Sequence, residues 1–469
     1  MMKKTLLRIV KGILFLLVTL GLWLFVRDTL VMKRDDGITS MKIYYEQKRN
    51  TIDVLFLGSS HSSYNIAADE LWKQYGISFY QLWGSSQPMW STYHFLIEAL
   101  KTQNPKVIVL DVYGALMNED YSDEARQATN TLGLNISTNM VRNIMVSSPK
   151  ERWAELFLGL PVYHDRFSEL AKDDFFYYPW SREKEYEKGS YAILGTHNNV
   201  NLVYQKDETR TPLYPKQQEY LNRIIELCRE RSIPLVLLVT PTVNRREEQG
   251  MYNTIRDCSE AAGIPFINMN EMGSELLIEP ADFSLDDSHL NLWGARKVGS
   301  WLANYLHSHY ALADHRGEPG YEGYERYVMK KDAGCLRKLE DPKEAAEEIL
   351  RNDYSVLLMR FGSAGHSSIT FDRLLINAAV PSDSIVLYDG TTTRPLSQTG
   401  GQLSLFDTAV TVSFEETCFA VDQIIDPYWG EEGIAAAVYD NRHHAWIDAV
   451  WITEEEPDVL QHLTFRNEP

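Results

Sequence analysis

Short apolar runs alternate with helical patterns over the middle of the chain, and this alternation limits the fold more than any other feature. The runs are rich in β-branched and large side chains, which is typical of buried strands. They are Ile52–Leu57, Ile77–Leu82, Val107–Leu110, Leu235–Val239 and Pro265–Asn268. Amphipathic helices are predicted at residues 216–231 and 247–262, before and after the fourth run. Strands that alternate with helices predict an α/β fold, in which helices cover both faces of a parallel sheet.

The N-terminal region contains an uncharged run, Gly12–Val26, that predicts a membrane anchor. Extended back to Thr5, it is long enough to span a bilayer if Arg8 and Lys11 reach the lipid headgroups. The alternative is a cleaved signal peptide, but the four residues after Val26 offer no small-residue cleavage site. We therefore expect residues 1–35 to form a cytoplasmic tail and an uncleaved signal anchor. The slight excess of basic residues before the run predicts a single-pass plasma-membrane protein with its bulk outside the cytoplasm.

The composition excludes some function classes and bounds the number of domains. A chain of 469 residues is long enough for two or three domains. The net charge of −19 supplies no basic face, so no nucleic-acid partner is expected. The four cysteines are scattered without C-x-x-C spacing, which favours free thiols, with one disulfide as the alternative. Neither a metal nor an organic cofactor is predicted.

A serine follows the first predicted strand directly. Ile52–Leu57 ends at Gly58-Ser59-Ser60-His61, which predicts a buried parallel strand running into a tight turn. Reactive groups in open parallel sheets gather beyond the carboxyl ends of the strands, so Ser60 is a candidate nucleophile. The alternative is a turn that only caps a helix starting near Ala67.

A second motif supplies the partners that a nucleophilic serine needs. Asp286 and His289 have D-x-x-H spacing on the loop before a predicted helix at residues 292–307. A serine requires a base to take its proton and an acidic group to orient that base. The alternative is that the aspartate caps the helix and His289 is an exposed neighbour.

The two motifs together resemble the SGNH (GDSL-like) hydrolase superfamily over residues 50–310 or so. The first family block, G-D-S, is read here as Gly58-Ser59-Ser60, and the last block, D-x-x-H, matches Asp286 and His289. The G-S-S variant is similar to the branch that contains lipoteichoic acid D-alanylation and cell-surface polysaccharide O-acetylation proteins. The resemblance implies a three-layer sandwich with Ser60 as nucleophile, His289 as base and Asp286 as its orienter.

The resemblance also implies an oxyanion hole. The Ser60 N–H is the expected first donor, and Gly84, after the second strand, matches the family's second-block glycine. The third block supplies an asparagine in the family, but this chain has none at that place. Tyr113 is near the position and could donate its hydroxyl, and Asn118 is a more distant alternative.

Several side chains near these blocks are candidate substrate contacts. They are His61, Gln87, Asn244 and Trp180. Asn244 ends the loop after the fourth strand, and Trp180 closes an aromatic run that forms either a sugar-stacking lip or hydrophobic core. The long stretch at about 115–212 predicts a cap insertion over the catalytic edge, within a catalytic domain at 50–312.

The last third of the chain has a different pattern. Glycines and prolines among charged residues predict a linker at 313–327. A helix with Asp341 as N-cap follows, and then strand signals dominate, which predicts a smaller α+β domain at 328–469. The domain distantly resembles the α/β modules of the interleukin-like EMT-inducer type, which implies carbohydrate binding.

The resemblance implies an extracytoplasmic serine esterase or O-acyltransferase. It would act on acyl esters, chiefly acetyl, of a cell-envelope polysaccharide or teichoic-type polymer, through an acyl-enzyme on Ser60. A membrane-bound O-acyltransferase is an implied partner. Two alternatives stay open: a non-catalytic glycan-binding or scaffold protein, and a lysophospholipase with an apolar acyl channel.

Overall fold

The chain folds into two compact units, Met1–Tyr324 and Glu325–Pro469. The computed structural model describes residues 2–32, 36–118, 120–122, 124–176, 188–197, 200–202, 207–284, 286–351, 353–362, 383–397, 400–422, 424–430, 432–453, 460–463 and 465.

The first unit is built on a five-stranded parallel sheet, as the alternating pattern predicts. The strands are β1 (Val54–Gly58), β2 (Phe79–Trp83), β3 (Val107–Asp111), β4 (Leu235–Val239) and β5 (Phe266–Asn268). Their order is β2-β1-β3-β4-β5, and every pairing is parallel. The chain leaves β1 in one direction to form β2 and returns on the other side to form β3. This reversal opens a crevice beyond the carboxyl ends of β1 and β3.

Helices connect and flank these strands, and others form the N-terminal segment and the insertion. They are α1 (Met2–Leu30), α2 (Gly37–Glu46), α3 (Ser60–Tyr64), α4 (Asp69–Tyr75), α5 (Met89–Ala99), α6 (Glu124–Thr129), α7 (Thr138–Ser147), α8 (Trp153–Leu158), α9 (Leu160–Tyr163), α10 (Lys172–Phe176), α11 (Pro215–Glu230), α12 (Arg246–Ala262), α13 (Gly273–Leu276) and α14 (Leu292–His309). Leu55 and Leu57 share a buried cluster with Phe95 of α5 and Ile224 of α11. Phe56 points to the opposite face and is also fully buried, so both faces of the sheet are covered.

The first helix is long and apolar enough to cross a membrane, as a membrane anchor or a signal sequence would be. Its apolar side chains face outward, for example Phe15 at 69% and Leu16 at 66% exposure. Such a surface is unfavourable in water and favourable in lipid.

The insertion between β3 and α11 contains mainly short helices. They are α6 to α10 and the 3-10 turns Lys150–Arg152 and His164–Ser168. α7 packs on α5 of the core, and α8 packs on α7. Of the predicted aromatic run, Phe175 lies in α10 and is exposed, whereas Trp180 lies outside the described residues.

The second unit contains two antiparallel sheets and has no parallel pairing among its described strands. The strands are β6 (Tyr354–Phe361), β7 (Ser384–Tyr388), β8 (Thr393–Ser397), β9 (Gly401–Leu405), β10 (Thr408–Ser413), β11 (Cys418–Val421), β12 (Ile425–Trp429), β13 (Gly433–Asp440), β14 (Ala445–Thr453) and β15 (Gln461–His462). One sheet has the order β15-β14-β13-β6-β7-β8, and the other has the order β12-β11-β10-β9. Their side chains share one apolar cluster, to which Phe361, Phe419 and Trp451 belong.

Two helices precede these sheets, α15 (Glu322–Leu336) and α16 (Pro342–Arg351). α15 begins inside the predicted linker at 313–327, and Tyr324, in its first turn, is buried with its hydroxyl donating to Phe79 O. His315 of the same stretch bonds Asp53 and Glu318. The stretch is therefore fixed by side-chain contacts that its glycine-rich composition does not reveal.

Candidate active site

The turn after β1 presents Ser60 at the first position of α3. Gly58 makes this turn possible: its φ is +148°, and a Cβ there would lie 2.9 Å from the Asp111 Cβ. Because the first N–H groups of a helix lack intrahelical acceptors, the Ser60 N–H is not paired within its own helix. Ser60 is half-buried, and its hydroxyl has a backbone donor in the same residue.

The D-x-x-H loop is a short hairpin before α14. Phe283 and Leu290 form a bridge across it, and the Ser284 N–H donates to the His289 carbonyl. Asn291 then begins α14 as its N-cap, since its side chain accepts from the N–H groups of Trp293 and Gly294. The loop therefore holds His289 between two fixed ends.

Ser60, His289 and Asp286 form a continuous hydrogen-bonded chain. Ser60 Oγ lies 2.9 Å from His289 Nε2. His289 Nδ1 lies 2.9 Å and 3.0 Å from the two carboxylate oxygens of Asp286. The three side chains expected from the motifs are thus brought within direct contact, in the order that nucleophilic catalysis requires.

Asp286 is held by more than its histidine. Its Oδ1 accepts from the N–H groups of Ser288 and His289 and from the Ser288 hydroxyl. Burial disfavours the carboxylate, but the hydrogen bonds from His289 and Ser288 outweigh it and lower the pKa of Asp286 to about 2. The carboxylate is therefore charged at neutral pH and can accept the Nδ1–H of His289.

Asn65, which the motifs do not indicate, connects the two halves of the site. Its Nδ2 donates to the Ser288 carbonyl at 2.9 Å and to the Thr240 hydroxyl at 3.0 Å. Its Oδ1 accepts from the Leu290 N–H at 2.9 Å. Asn65 follows α3 directly, so one fully buried side chain ties the Ser60 helix to both ends of the His289 segment.

His61 is a buried neighbour of His289. Its ring is 3.8 Å from the Tyr113 ring and 5.0 Å from the His289 ring, by centroids. Burial, together with the charge of His289, lowers the pKa of His61 to about 3. It is therefore neutral at physiological pH, and its buried Nε2 has no hydrogen-bond partner among the described residues. His61, which the sequence suggests as a substrate contact, is thus only 1% exposed and packs against the site from the protein interior.

The candidate oxyanion donors differ in their placement. Tyr113 begins the turn after β3 and reaches the site through His61. Gly84 follows β2, and its contacts are with the side chains of Asn130 and Gln87, with no room for a Cβ. The His61 ring contact brings Tyr113 to the neighbourhood of Ser60, and Gly84 follows Trp83, which pairs with Gly58 at the end of β1. The oxyanion role of Tyr113 and of Gly84 stays a prediction.

Asp111 is a further acidic group under the site. It ends β3, contacts Gly58, and accepts the Tyr113 N–H at 3.2 Å. Its complete burial raises its pKa to about 7, although hydrogen bonds from the N–H groups of Tyr113 and Thr240 oppose the rise. Asp111 therefore keeps its proton to a higher pH than an ordinary aspartate, which reduces the negative charge near Ser60.

Two of the residues expected to contact substrate, Gln87 and Asn244, form hydrogen bonds within the protein through their side chains. Gln87 is fully buried; its Oε1 accepts from the Thr92 hydroxyl, and its Nε2 donates to Asn130. Asn244 is 4% exposed and donates to Gln249. These internal hydrogen bonds give both side chains a structural role and leave Gln87 in the interior.

A cavity of about 170 Å³ lies beside the D-x-x-H loop. Its lining includes Val243, Asn244, Met269 and Asn270, and the Val243 N–H donates to the Asp287 carbonyl. Nothing among the described residues forms a group of three or more histidine, cysteine or acidic side chains able to hold a metal.

Comparisons with known proteins give a resemblance in structure only. No family model matches the chain. None of the curated proteins matches it significantly. A solved structure of a presumed acylhydrolase from Bacteroides fragilis is similar to 56% of this chain and 92% of that one, with 9% identity and a TM-score of 0.29.

Proposed function

We propose that the chain is a serine esterase or O-acyltransferase of the SGNH type. The single observation that carries this proposal is the hydrogen-bonded series Ser60–His289–Asp286, with Nε2 facing the hydroxyl and Nδ1 facing the carboxylate. This series lies beyond the carboxyl ends of the parallel strands, where ligands bind in open α/β sheets.

The reaction follows from these positions. Ser60 Oγ attacks the ester carbonyl carbon, and its proton passes to His289 Nε2, while Asp286 stabilises the imidazolium. The negative charge on the carbonyl oxygen is stabilised by the Ser60 N–H, with the Tyr113 hydroxyl as the second candidate donor. The ester C–O bond then breaks, His289 protonates the departing alcohol, and the acyl group stays on Ser60. Water or a sugar hydroxyl then attacks the acyl carbon and gives its proton to His289 Nε2. The bond from the acyl carbon to Ser60 Oγ breaks, Ser60 regains its proton from His289, and the acyl group leaves with the acceptor.

The substrate class is proposed from the motif resemblance. The G-S-S block and the apolar N-terminal helix favour a protein that is anchored in the plasma membrane and acts outside the cytoplasm. The acyl group is proposed to be small, chiefly acetyl, on a cell-envelope polysaccharide or teichoic-type polymer. A membrane-bound O-acyltransferase is the proposed source of acyl groups if transfer prevails over hydrolysis.

The first test is covalent labelling of the full chain in detergent. A fluorophosphonate probe is expected to label Ser60, and p-nitrophenyl acetate is expected to be hydrolysed. Ser60→Ala abolishes both signals, and His289→Ala reduces both strongly because the hydroxyl loses its base. Ser59→Ala is the matched control, since its buried hydroxyl lies one residue away and has no partner among the described residues.

Labelling of Ser60 without acetate turnover would direct the search to a polymer acceptor. Equal behaviour of wild type and Ser60→Ala in both assays would contradict the proposal and favour the glycan-binding alternative. A strong preference for long-chain over acetyl esters would favour a lysophospholipase.

A further inference from the structure

The insertion after β3 touches the C-terminal part of α1. Trp23 Nε1 donates to the Leu158 carbonyl at 3.2 Å, and the Trp23 ring lies 6.2 Å from the Phe157 ring. Arg166 donates to the Leu30 carbonyl at 2.7 Å. α9 and α10 also pack against α1. The contacts therefore run along one face of α1, from Trp23 to its last residue.

Arg27 marks the level of these contacts along α1. It is the first charged residue after the apolar run. Its side chain packs against Gly159, where a Cβ would lie only 2.9 Å from Arg27 Nε. Trp23 is four residues earlier, which is about 6 Å along the helix axis. The end of α8 thus reaches about one helical turn into the apolar part of α1.

The same short helices expose large apolar side chains. Phe157 is 37% exposed, Leu158 42%, Phe175 43% and Phe167 73%. Phe157 and Leu158 adjoin Trp23 directly, and Phe167 follows Arg166, which bonds the end of α1. This group of four, named here the apolar rim, is continuous with the apolar surface of α1.

We propose that the apolar rim lies in the lipid interface of the membrane that α1 spans. Aromatic side chains are enriched at this level of a bilayer, where a ring contacts acyl chains and nearby polar groups meet headgroups. The occupant is lipid because the rim adjoins α1 at the depth where its apolar run ends. The inference rests on the proposed membrane anchorage of α1 and is independent of the esterase activity.

The consequence is a catalytic body mounted at the membrane surface. α8 packs on α7, and α7 packs on α5 of the core, while α2 packs on β2. The sheet is therefore connected to the rim through packed helices as well as through the chain.

Site-directed fluorescence in vesicles tests the proposal without relying on activity. The full chain, with Cys258→Ser to remove the one native cysteine that is not buried, is reconstituted into phosphatidylcholine and phosphatidylglycerol vesicles. A nitrobenzoxadiazole label is placed at Phe167→Cys in the rim. Leu17→Cys, in the middle of α1, reports on the anchor. Glu260→Cys is the matched control, on α12 beside β5, at the sheet edge opposite β2.

The emission is expected to be blue-shifted at positions 17 and 167. Lipids with a doxyl group deep in the acyl chain should quench position 17 most, and lipids with a shallow doxyl group should quench position 167 most. Position 260 is expected to respond only to iodide in the water phase. Quenching of position 167 by iodide alone, with position 17 in lipid, would overturn the rim proposal and leave the anchor intact. Failure of lipid quenching at both positions would overturn the anchor and the rim together.

Discussion

At the scale of single residues, the site depends on which carboxyl groups are charged. Asp286 accepts hydrogen bonds on both oxygens and is ionised, whereas Asp111 is buried with one oxygen unpaired among the described residues. The pKa values of two acidic side chains near one serine are thus shifted in opposite directions: hydrogen bonds lower that of Asp286, and burial raises that of Asp111.

Asp286→Asn tests the role of the orienting carboxylate. The amide oxygen retains the acceptor for the loop N–H groups, but it cannot stabilise the imidazolium, so kcat/KM for an activated ester should fall by about 10⁴-fold. Asp287→Asn, at the exposed neighbouring position, should leave kcat/KM near the wild-type value. A loss below tenfold for Asp286→Asn would show that the carboxylate is dispensable.

Asp111→Asn tests the effect of burial on pH dependence. The raised pKa of Asp111, about 7, means that the folded state keeps a proton that the unfolded state has lost. The stability that this proton provides is complete below about pH 4 and is lost as pH rises through 7. The wild-type melting temperature should therefore fall between pH 5 and pH 8 by more than that of Asp111→Asn. Identical pH profiles by calorimetry would exclude this explanation.

At the scale of elements, the start of α14 holds the histidine loop. Asn291 caps the helix through its oxygen, and its Nδ2 donates to the carbonyls of Gly195 and Ala281. One fully buried side chain therefore joins the helix, the loop before it and a segment of the insertion.

Asn291→Ala should lower the free energy of unfolding of the first unit by about 2 kcal/mol or more, because a cap and buried hydrogen bonds are lost together. Urea unfolding followed by fluorescence measures the change. Ser308→Ala, an exposed position in the same helix, should stay within about 0.5 kcal/mol of wild type. Equal effects of the two substitutions would argue against the cap as the stabilising feature.

At the scale of the whole molecule, the division into two units separates the candidate chemistry from the C-terminal sheets. Ser60, His289 and Asp286 all belong to the first unit, whereas the second has its own apolar cluster. Carbohydrate binding by the second unit, expected from a distant resemblance, stays a prediction.

Trp451→Ala tests whether the two units unfold separately. The Trp451 ring stacks on Phe361 at 4.7 Å in the core of the second unit, and its removal should cost about 3–5 kcal/mol. One calorimetric transition should move to lower temperature, while labelling of Ser60 at 25 °C stays at the wild-type level. Loss of Ser60 labelling in Trp451→Ala, with the calorimetric transition of the first unit unchanged, would show that the active site depends on the second unit.

The sequence by itself determined the five strands of the parallel sheet, the main helices beside them and the candidate reactive side chains. Runs such as Leu235–Val239 predict strands because burial on both faces needs uninterrupted apolar residues. The sequence offered an aspartate of the D-x-x-H loop as the cap of α14, whereas the structure gives that place to Asn291. Only the tertiary structure decided that Ser60 meets His289 across 229 positions, that Asn65 ties them together, and that Gln87 is interior. The physical reason is that periodicity records which face of an element is buried, whereas a contact between distant residues depends on sheet order and packing that no local pattern encodes.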